Sequence, residues 1–337
     1  MAGLLALVIL AASCGSSADT SADSEAPSSA STPADDAAAD DSTDDAATDE
    51  TEATTDDPDD TDDVDGAYPL TIGTAAGEVV IDAQPMSIVS LSPTATEMLF
   101  AIEAGDQVTA VDLFSNYPPE APQGTLDAFA PEFEAILAAG PDLVVAANLP
   151  EDIVAALAAS DVPVLLQPGA VSFDDIYDQI GQLGVATGQI DGAAAVNDEI
   201  RTGVDEVLSG IAESEEPVRV FHELDDSFYT ATSGSFIGQV YQLMGFENVA
   251  DPYDDGGGYP LIDGETVIAA DPTLIVLPKS EYSTYGPEEI MARPGWEGIA
   301  AVANGNVIEV DADISSRWGP RIVEFMQALA ETVLAPA

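Results

Sequence analysis

The fold is decided by the stretch IVSLSPTATEMLF at residues 88–100. Its first four residues are apolar apart from Ser90, which is typical of a strand covered on both faces. Ser92 then offers the hydroxyl of a helix N-cap, and Pro93 suits the first helical position, where no backbone N–H is needed. The stretch predicts a buried strand that turns directly into a helix ending near Gly105. In open α/β domains such a turn lies at the carboxyl edge of the sheet, where ligands bind.

The composition limits the classes of function that this chain can have. It contains 337 residues, 46% of them hydrophobic, which is enough for two lobes with a sizeable core. Its 63 acidic and 6 basic residues leave a formal net charge of -57. Nucleic acid is therefore excluded as a partner, since phosphate binding needs clustered Lys and Arg. With one Cys and one His, the chain can form neither an internal disulfide nor a zinc site of several Cys and His ligands.

The amino-terminal residues predict a leader followed by a tether. Residues 3–12 form an apolar run too short to span a membrane, and the single cysteine, Cys14, follows it. Residues 1–14 thus resemble a bacterial lipoprotein signal peptide, in which the cysteine carries the lipid. Residues 15–66 are rich in Ser, Thr, Ala, Asp and Glu without Lys or Arg, which favours an extended, disordered acidic linker. The alternatives are a buried apolar N-terminus with an incidental cysteine, and an acidic tail that binds a cation or a partner.

The rest of the chain reads as two similar halves. Strand and helix patterns alternate along residues 67–190 and again along residues 215–337, which predicts two α/β lobes with parallel sheets. Residues 191–214 carry apolar side chains at helical spacing and predict a single long helix that joins the lobes. The segment 134–145 matches 265–276 without a gap. The second lobe is therefore expected to repeat the first.

The repeat places two glutamates, Glu134 and Glu265, at equivalent positions near the start of a short helix. The helix dipole and the free N–H groups favour a carboxylate at that point. Two interpretations are open. The glutamates serve as ordinary helix caps, or they form a matched pair of acidic contacts, one on each lobe, for a partner with matched basic sockets.

An ordered set of short motifs resembles one protein family. The motifs are residues 88–97, the loop with Tyr-Pro-Pro at 115–119, residues 133–144, residues 236–250 and SRWGPR at 316–321. Taken in order, they resemble the substrate-binding proteins of ABC importers for iron–siderophores, haem and cobalamin, and the resemblance covers essentially all of residues 68–334. The resemblance implies a binding protein without enzymatic activity. It also implies two α/β lobes joined by one rigid helix, with the ligand in the cleft between them.

The resemblance further implies partners and a location. In this family one Glu of each lobe docks onto arginines of the membrane permease, and Glu134 and Glu265 stand at the matching positions. The ligand is expected to be a metal chelate such as a ferric siderophore, haem or cobalamin, with no bare metal ion and no further cofactor. Combined with Cys14, this predicts a monomeric, lipid-anchored receptor outside the cell membrane of a bacterium, which serves a permease and its ATPase.

Likeness to the cobalamin binder of the family implies a set of cleft residues. Aromatic side chains suit a bulky organic chelate because they combine a large rigid surface with a polar tip, although core or loop packing is the alternative for each. This chain has Ala146 and Ala147 where the cobalamin binder has an aromatic residue, and it has few arginines for an anionic siderophore, so the chelate stays open. The cleft candidates are Phe114, Phe129, Tyr229, Tyr259 and Trp318, with Arg317 as the cation.

Two other functions stay open from the sequence. An extracellular α/β hydrolase would need an activated nucleophile near His222, the single histidine, although the chain has no Gly-x-Ser-x-Gly motif. A non-transporting sensor on the same fold would bind a ligand without needing Glu134 and Glu265 as docking contacts.

Overall fold

The computed structural model describes residues 68–74, 77–211, 216–280, 283 and 285–334. The predicted signal peptide with Cys14 and the predicted tether at 15–66 lie outside the described residues. Within the described part, no helix is both long enough and apolar enough to cross a membrane.

The N-terminal lobe opens with an antiparallel hairpin and continues as alternating strands and helices. Its sheet has the order β4-β3-β5-β6, and all of its strands are parallel. This alternation with a parallel sheet is the predicted pattern. The elements are β1 Leu70–Thr74, β2 Gly77–Ile81, β3 Ile88–Leu91, α1 Pro93–Ala101, β4 Val108–Val111, α2 Phe133–Ala138, β5 Leu143–Ala146, α3 Glu151–Ala158, β6 Val164–Leu166 and α4 Phe173–Thr187.

Strand β3 and helix α1 form as the opening stretch predicts. The strand is buried throughout, with Ile88 in the core on one face of the sheet and Val89 in the core on the other. Ser92 caps α1, because its Oγ accepts a hydrogen bond from the backbone N–H of Ala95 at 3.2 Å. The helix ends before the predicted stop at Gly105, since Glu103 adopts a left-handed conformation with φ 69°.

Helix α5, Ile190–Gly210, joins the two lobes. Helix α4 stops just before it, where Gly188 takes a left-handed conformation with φ 78°. The buried face of α5 repeats at helical spacing, as the sequence predicted, and it belongs to one core that continues from the N-terminal lobe into the C-terminal lobe. That continuity favours a rigid connection. The buried residues of this face are Ala193, Val196, Ile200, Val204 and Val207.

The C-terminal lobe has a second four-stranded parallel sheet, in the order β8-β7-β9-β10. Strands β7, β8, β9 and β10 take the places that β3, β4, β5 and β6 have in the first sheet, so the two sheets share one strand order. The predicted repeat of one lobe by the other is therefore confirmed. The predicted fold class, two α/β lobes joined by one long helix, is confirmed as well. The elements are β7 Arg219–His222, α6 Phe236–Leu243, β8 Glu247–Asn248, α7 Gly264–Ala270, β9 Leu274–Lys279, α8 Pro287–Met291, α9 Ala300–Asn304, β10 Val307–Asp311, α10 Ala312–Ser316 and α11 Ile322–Leu334.

Candidate functional site

A buried polar network holds the loop that follows β4 at the carboxyl edge of the N-terminal sheet. Asp112 accepts hydrogen bonds from the Ser115 hydroxyl at 2.6 Å and from the Phe114 backbone N–H at 2.8 Å. The Ser115 hydroxyl also lies 2.9 Å from the Thr96 hydroxyl of α1. Burial raises the pKa of the Asp112 carboxyl, while these hydrogen bonds act in the opposite direction. The network fixes the position of Phe114, one of the predicted cleft residues.

Glu97 of α1 is the centre of an ion cluster that joins the lobes. Only 3% of its surface is exposed. Its carboxylate accepts hydrogen bonds from Arg317 Nη1 at 2.7 Å, from Arg321 Nε at 2.8 Å and from Arg321 Nη2 at 2.6 Å. Arg317 also pairs with Asp313 at 2.9 Å and donates to the carbonyl of Phe114 at 3.1 Å. The charge of Arg317, the predicted cleft cation, is therefore neutralised by carboxylates of the protein.

The loop with the Tyr-Pro-Pro motif adds two further links between the lobes. The guanidinium of Arg321 lies 4.0 Å from the centre of the Tyr117 ring, a cation–π distance. Asn116 Nδ2 donates to Asp313 Oδ2 at 3.1 Å. The hydrogen bond to Glu97 raises the pKa of Arg321, so this side chain stays charged. The loop is thereby held against the segment that carries Trp318.

Three of the predicted aromatic residues lie where the lobes meet. The rings of Phe114 and Phe129 pack edge to face with 5.2 Å between their centres, and Phe129 is 77% exposed. Trp318 reaches from the C-terminal lobe to the N-terminal lobe, where its indole N–H donates to Gln179 Oε1 at 3.0 Å. A cavity of about 300 Å³ opens beside this contact, lined in part by Gly169 and Gln179. The cavity is lined by residues of the N-terminal lobe, and Trp318 contacts one of them, Gln179.

Tyr229 and Tyr259 lie on two paired segments of the C-terminal lobe. Tyr229 forms an antiparallel bridge with Leu261 and is substantially exposed. Tyr259 is half-buried. Burial raises the pKa of its hydroxyl, whereas a hydrogen bond with Ser235 lowers it. The Gly-rich turn before Tyr259 is held in place, because Asp254 Oδ1 accepts hydrogen bonds from two of its backbone N–H groups at 2.8 Å and 3.0 Å.

The two predicted docking glutamates are exposed in the first turns of α2 and α7. Neither provides the helix cap. The cap of α7 is Asp263, whose Oδ1 accepts from the Thr266 backbone N–H at 2.7 Å, and α2 has no side-chain cap. Both glutamates nevertheless lie in the first turn, where the helix dipole favours a carboxylate, so both interpretations stay open and their role in docking stays a prediction.

Sequence reasoning missed a buried ion pair at the carboxyl end of β7. Arg293 donates to both oxygens of Glu223 at 2.6 Å, and its guanidinium lies 4.7 Å from the centre of the Trp296 ring. Burial raises the pKa of Glu223, and the hydrogen bond and charge of Arg293 oppose that shift. A signal was available: an acidic residue directly follows a buried strand, in a chain with only 6 basic residues.

His222 is placed as a structural residue. It is fully buried, and its Nδ1 lies 2.7 Å from the hydroxyl of Tyr241. Its Nε2 has no hydrogen-bond partner among the described residues. Burial lowers the pKa of the imidazole to about 3. The ring is therefore neutral, and within the described residues no serine or cysteine is hydrogen-bonded to it as a nucleophile.

A groove of about 990 Å³ lies between α1, α5 and α11. It starts at the ion cluster, where Glu97, Arg321 and Tyr117 form one wall, and it runs over Phe100 and Val323. None of the five predicted cleft aromatics lines it. The described residues include no group of three or more His, Cys, Asp and Glu side chains arranged to hold a metal ion. The groove and the aromatic residues are therefore two separate features.

Comparison with known proteins decides the family. Residues 88–314 match the family described as "Periplasmic binding protein". The chain belongs to this family. Its members and structural neighbours are binding proteins, so the alternative of an α/β hydrolase is wrong. The structure agrees with this result, because the histidine that a hydrolase would need, His222, is neutral and fully buried.

Several relatives of this periplasmic binding protein are similar along most of their length. The "Cobalamin-binding protein" of Halobacterium salinarum is 28% identical over 273 residues, which are 78% of this chain and 74% of that protein. An ABC transporter substrate-binding lipoprotein of Bacillus subtilis is 28% identical over 280 residues, 79% of this chain and 86% of its own length. The crystal structure of a possible iron-binding protein of Staphylococcus epidermidis has 26% identity and a TM-score of 0.66, covering 75% of this chain and 100% of that one. The predicted resemblance is confirmed: the chain is an extracytoplasmic substrate-binding protein of the class that serves ABC importers for vitamin B12, haem or siderophores.

Proposed function

We propose that this protein captures a corrinoid of the cobalamin type and delivers it to an ABC permease. The predicted ligand contacts are Phe114, Phe129, Tyr229, Tyr259 and Trp318. A lipid on Cys14 holds the receptor at the membrane, and the acidic tether keeps its folded body clear of the surface.

The pairing of every basic side chain carries this proposal. The chain has 6 basic residues, and each forms an ion pair with a carboxylate. Haem carries two propionates and many ferric siderophores are anionic, so both need cations that the protein has not already neutralised. Cyanocobalamin has no net charge and has no such need. The paired residues are Arg201, Arg219, Lys279, Arg293, Arg317 and Arg321.

Two further observations support a corrinoid. The related protein of Halobacterium salinarum is named for binding cobalamin. The five predicted cleft aromatics suit a large ring system with amide substituents, because together they offer apolar area, two tyrosine hydroxyls and one indole N–H group. Trp318 already uses its N–H in a bond to the amide oxygen of Gln179, the same kind of acceptor that a corrinoid side chain presents.

Calorimetric titration of the purified full chain tests the choice of ligand. The probes are cyanocobalamin, haem and the anionic chelate ferric enterobactin, each titrated separately at one ionic strength. We expect saturable sub-micromolar binding of cyanocobalamin and at least tenfold weaker binding of the two anionic probes. Tighter binding of haem or ferric enterobactin would overturn the corrinoid assignment.

Two groups of variants test delivery. Cys14→Ser is expected to release the protein from the membrane fraction without changing its affinity for cyanocobalamin. Glu134→Ala combined with Glu265→Ala is expected to lower the initial rate of cyanocobalamin uptake by cells strongly, while the purified variant binds it normally. Uptake that survives the double substitution would instead favour a receptor that docks in another way or a non-transporting sensor.

A further inference from the structure

The two helices that carry the docking glutamates share a second feature. Three residues after Glu134, Leu137 of α2 is 37% exposed, and three residues after Glu265, Ile268 of α7 is 39% exposed. The residue before each, Ile136 or Val267, is buried in its lobe. Each helix therefore buries one aliphatic side chain in its lobe and leaves the next one partly exposed.

In each helix the glutamate and the exposed aliphatic residue lie on the same face. Residues three apart are neighbours on a helix surface, so Glu134 is next to Leu137 and Glu265 is next to Ile268. We call these two pairs the docking patches. Single exposed aliphatic residues are normal on any protein. Here, however, the same exposure occurs at the same register of the internal repeat, in both lobes, beside the same acidic residue.

The docking patches lie toward the carboxyl edges of the two sheets. Helices α2 and α7 each end just before a parallel strand, β5 and β9, and so begin near the opposite edge. That edge is also where the loops with the cleft aromatics lie. A partner that contacts both patches therefore faces the opening between the lobes.

We propose that the permease recognises both docking patches, Glu134 with Leu137 and Glu265 with Ile268. It would do so through two equivalent binding sites that each combine a basic side chain with an apolar surface. This inference rests on the proposed function and goes beyond the glutamates. The carboxylates and the net charge of -57 call for basic groups opposite them, and the duplication calls for a partner with twofold symmetry or pseudosymmetry.

The division of roles follows from the physics of the two contacts. Exposed ion pairs give little net affinity and are screened by salt, so the glutamates mainly steer the approach and fix the register. Burial of an aliphatic side chain is not screened and is strengthened by salting-out ions. Leu137 and Ile268 therefore supply the part of the affinity that persists at high ionic strength.

Uptake of labelled cyanocobalamin by cells that carry only a variant of the full chain tests the proposal. The test variant is Leu137→Ser combined with Ile268→Ser. A conservative variant, Leu137→Met with Ile268→Leu, keeps the patches apolar. A matched control, Val185→Ser with Leu243→Ser, alters two aliphatic residues of similar exposure, 37% and 42%, at the ends of α4 and α6.

We expect the test variant to lower the initial uptake rate at least tenfold, because it removes an aliphatic contact from each of the two docking patches. The conservative variant and the control should take up cyanocobalamin like the original protein, and all purified variants should bind it equally well. Normal uptake by the test variant, with uptake lost in Glu134→Ala/Glu265→Ala, would overturn this inference and leave the proposed function standing. Failure of the unsubstituted protein to bind cyanocobalamin or to support its uptake would instead overturn the proposed function itself.

Discussion

Glu97 and Arg321 stand 224 residues apart in the chain, yet their side chains form two hydrogen bonds, 2.8 Å from Nε to Oε2 and 2.6 Å from Nη2 to Oε1. Glu97 belongs to the first helix of the N-terminal lobe, and Arg321 directly precedes the last helix of the chain. Arg317 donates to the same carboxylate. Because a buried charge that loses its partner is costly, this contact opposes separation of the lobes at that point.

Replacement of Glu97 by alanine is expected to destabilise the protein strongly. The substitution leaves Arg317 and Arg321 largely buried without their shared carboxylate, and breaking a buried pair costs about 3–5 kcal/mol. Urea unfolding followed by circular dichroism measures the loss. The control is Glu199→Ala, which removes an exposed carboxylate from α5 and should change stability by less than about 0.5 kcal/mol. Equal stability of the two variants would show that the ion cluster contributes nothing.

The buried imidazole of His222 predicts a dependence of stability on pH. Its pKa falls from 6.5 in the unfolded chain to about 3 in the folded protein because of burial. Between these values the unfolded state binds the extra proton. Protonation of His222 therefore does not lower the free energy of unfolding above pH 6.5. As the pH falls from 6.5 toward 3, this free energy decreases by about 1.36 kcal/mol for each pH unit.

His222→Gln isolates this contribution. Between about pH 5 and 6, where most carboxylates remain ionised, the free energy of unfolding of the original protein should fall more steeply than that of the variant. Urea unfolding at several pH values gives both slopes. Parallel slopes would mean that His222 titrates alike in both states.

Two glycines of α4 are expected to respond oppositely to alanine. A Cβ at Gly184 would overlap the Cβ of Ala193 on α5 and would lie 3.0 Å from the carbonyl oxygen of Gln189, so Gly184→Ala must push the helices apart. We expect a loss of about 1–3 kcal/mol. A Cβ at Gly181 meets nothing within 4 Å.

Gly181→Ala should therefore stabilise the protein by up to about 1 kcal/mol, because alanine is the better helix former. Thermal unfolding of both variants in parallel checks the pair. A destabilising Gly181→Ala or a neutral Gly184→Ala would contradict the tight packing of α4 on α5.

Trp318 is expected to contribute to ligand binding through its area and its position between the lobes. Trp318→Ala should weaken cyanocobalamin binding 10- to 100-fold, or about 1.4–2.8 kcal/mol, and Trp318→Phe should lose less because it keeps an aromatic ring. Calorimetric titration measures both. The control is Trp296→Phe, which alters a tryptophan buried in the C-terminal lobe core and should leave the affinity unchanged. Full affinity in Trp318→Ala would remove it from the ligand site.

Local sequence signals were reliable where local physics decides the structure. Strand β3 and the cap at Ser92 form as predicted, because burial pattern and capping depend on a few neighbouring residues. The match of 134–145 with 265–276 predicted two similar lobes, and the sheets share one strand order. The end of α1 was misplaced, since Glu103 takes the left-handed conformation that the sequence suggested for a glycine.

The candidate site was predictable only in part. Aromatic residues and Arg317 could be named from the family resemblance, but nothing in the residues around Arg317 shows that the distant Glu97 pairs with it. The pair Glu223 and Arg293 was missed for the same reason, because its members are 70 residues apart. A sequence shows which charges exist, whereas pairing depends on distances that arise only when the chain is folded.

The sequence by itself thus determined the alternation of strands and helices, the duplication and the acidic character, since periodicity, capping and composition act over short stretches. Only the tertiary structure decided which side chains meet across the lobes, which glutamates stay exposed, and that Leu137 and Ile268 accompany Glu134 and Glu265 at the surface. These features depend on how the folded chain packs around α5 and the two sheets, and contacts between residues far apart in the chain carry no local pattern.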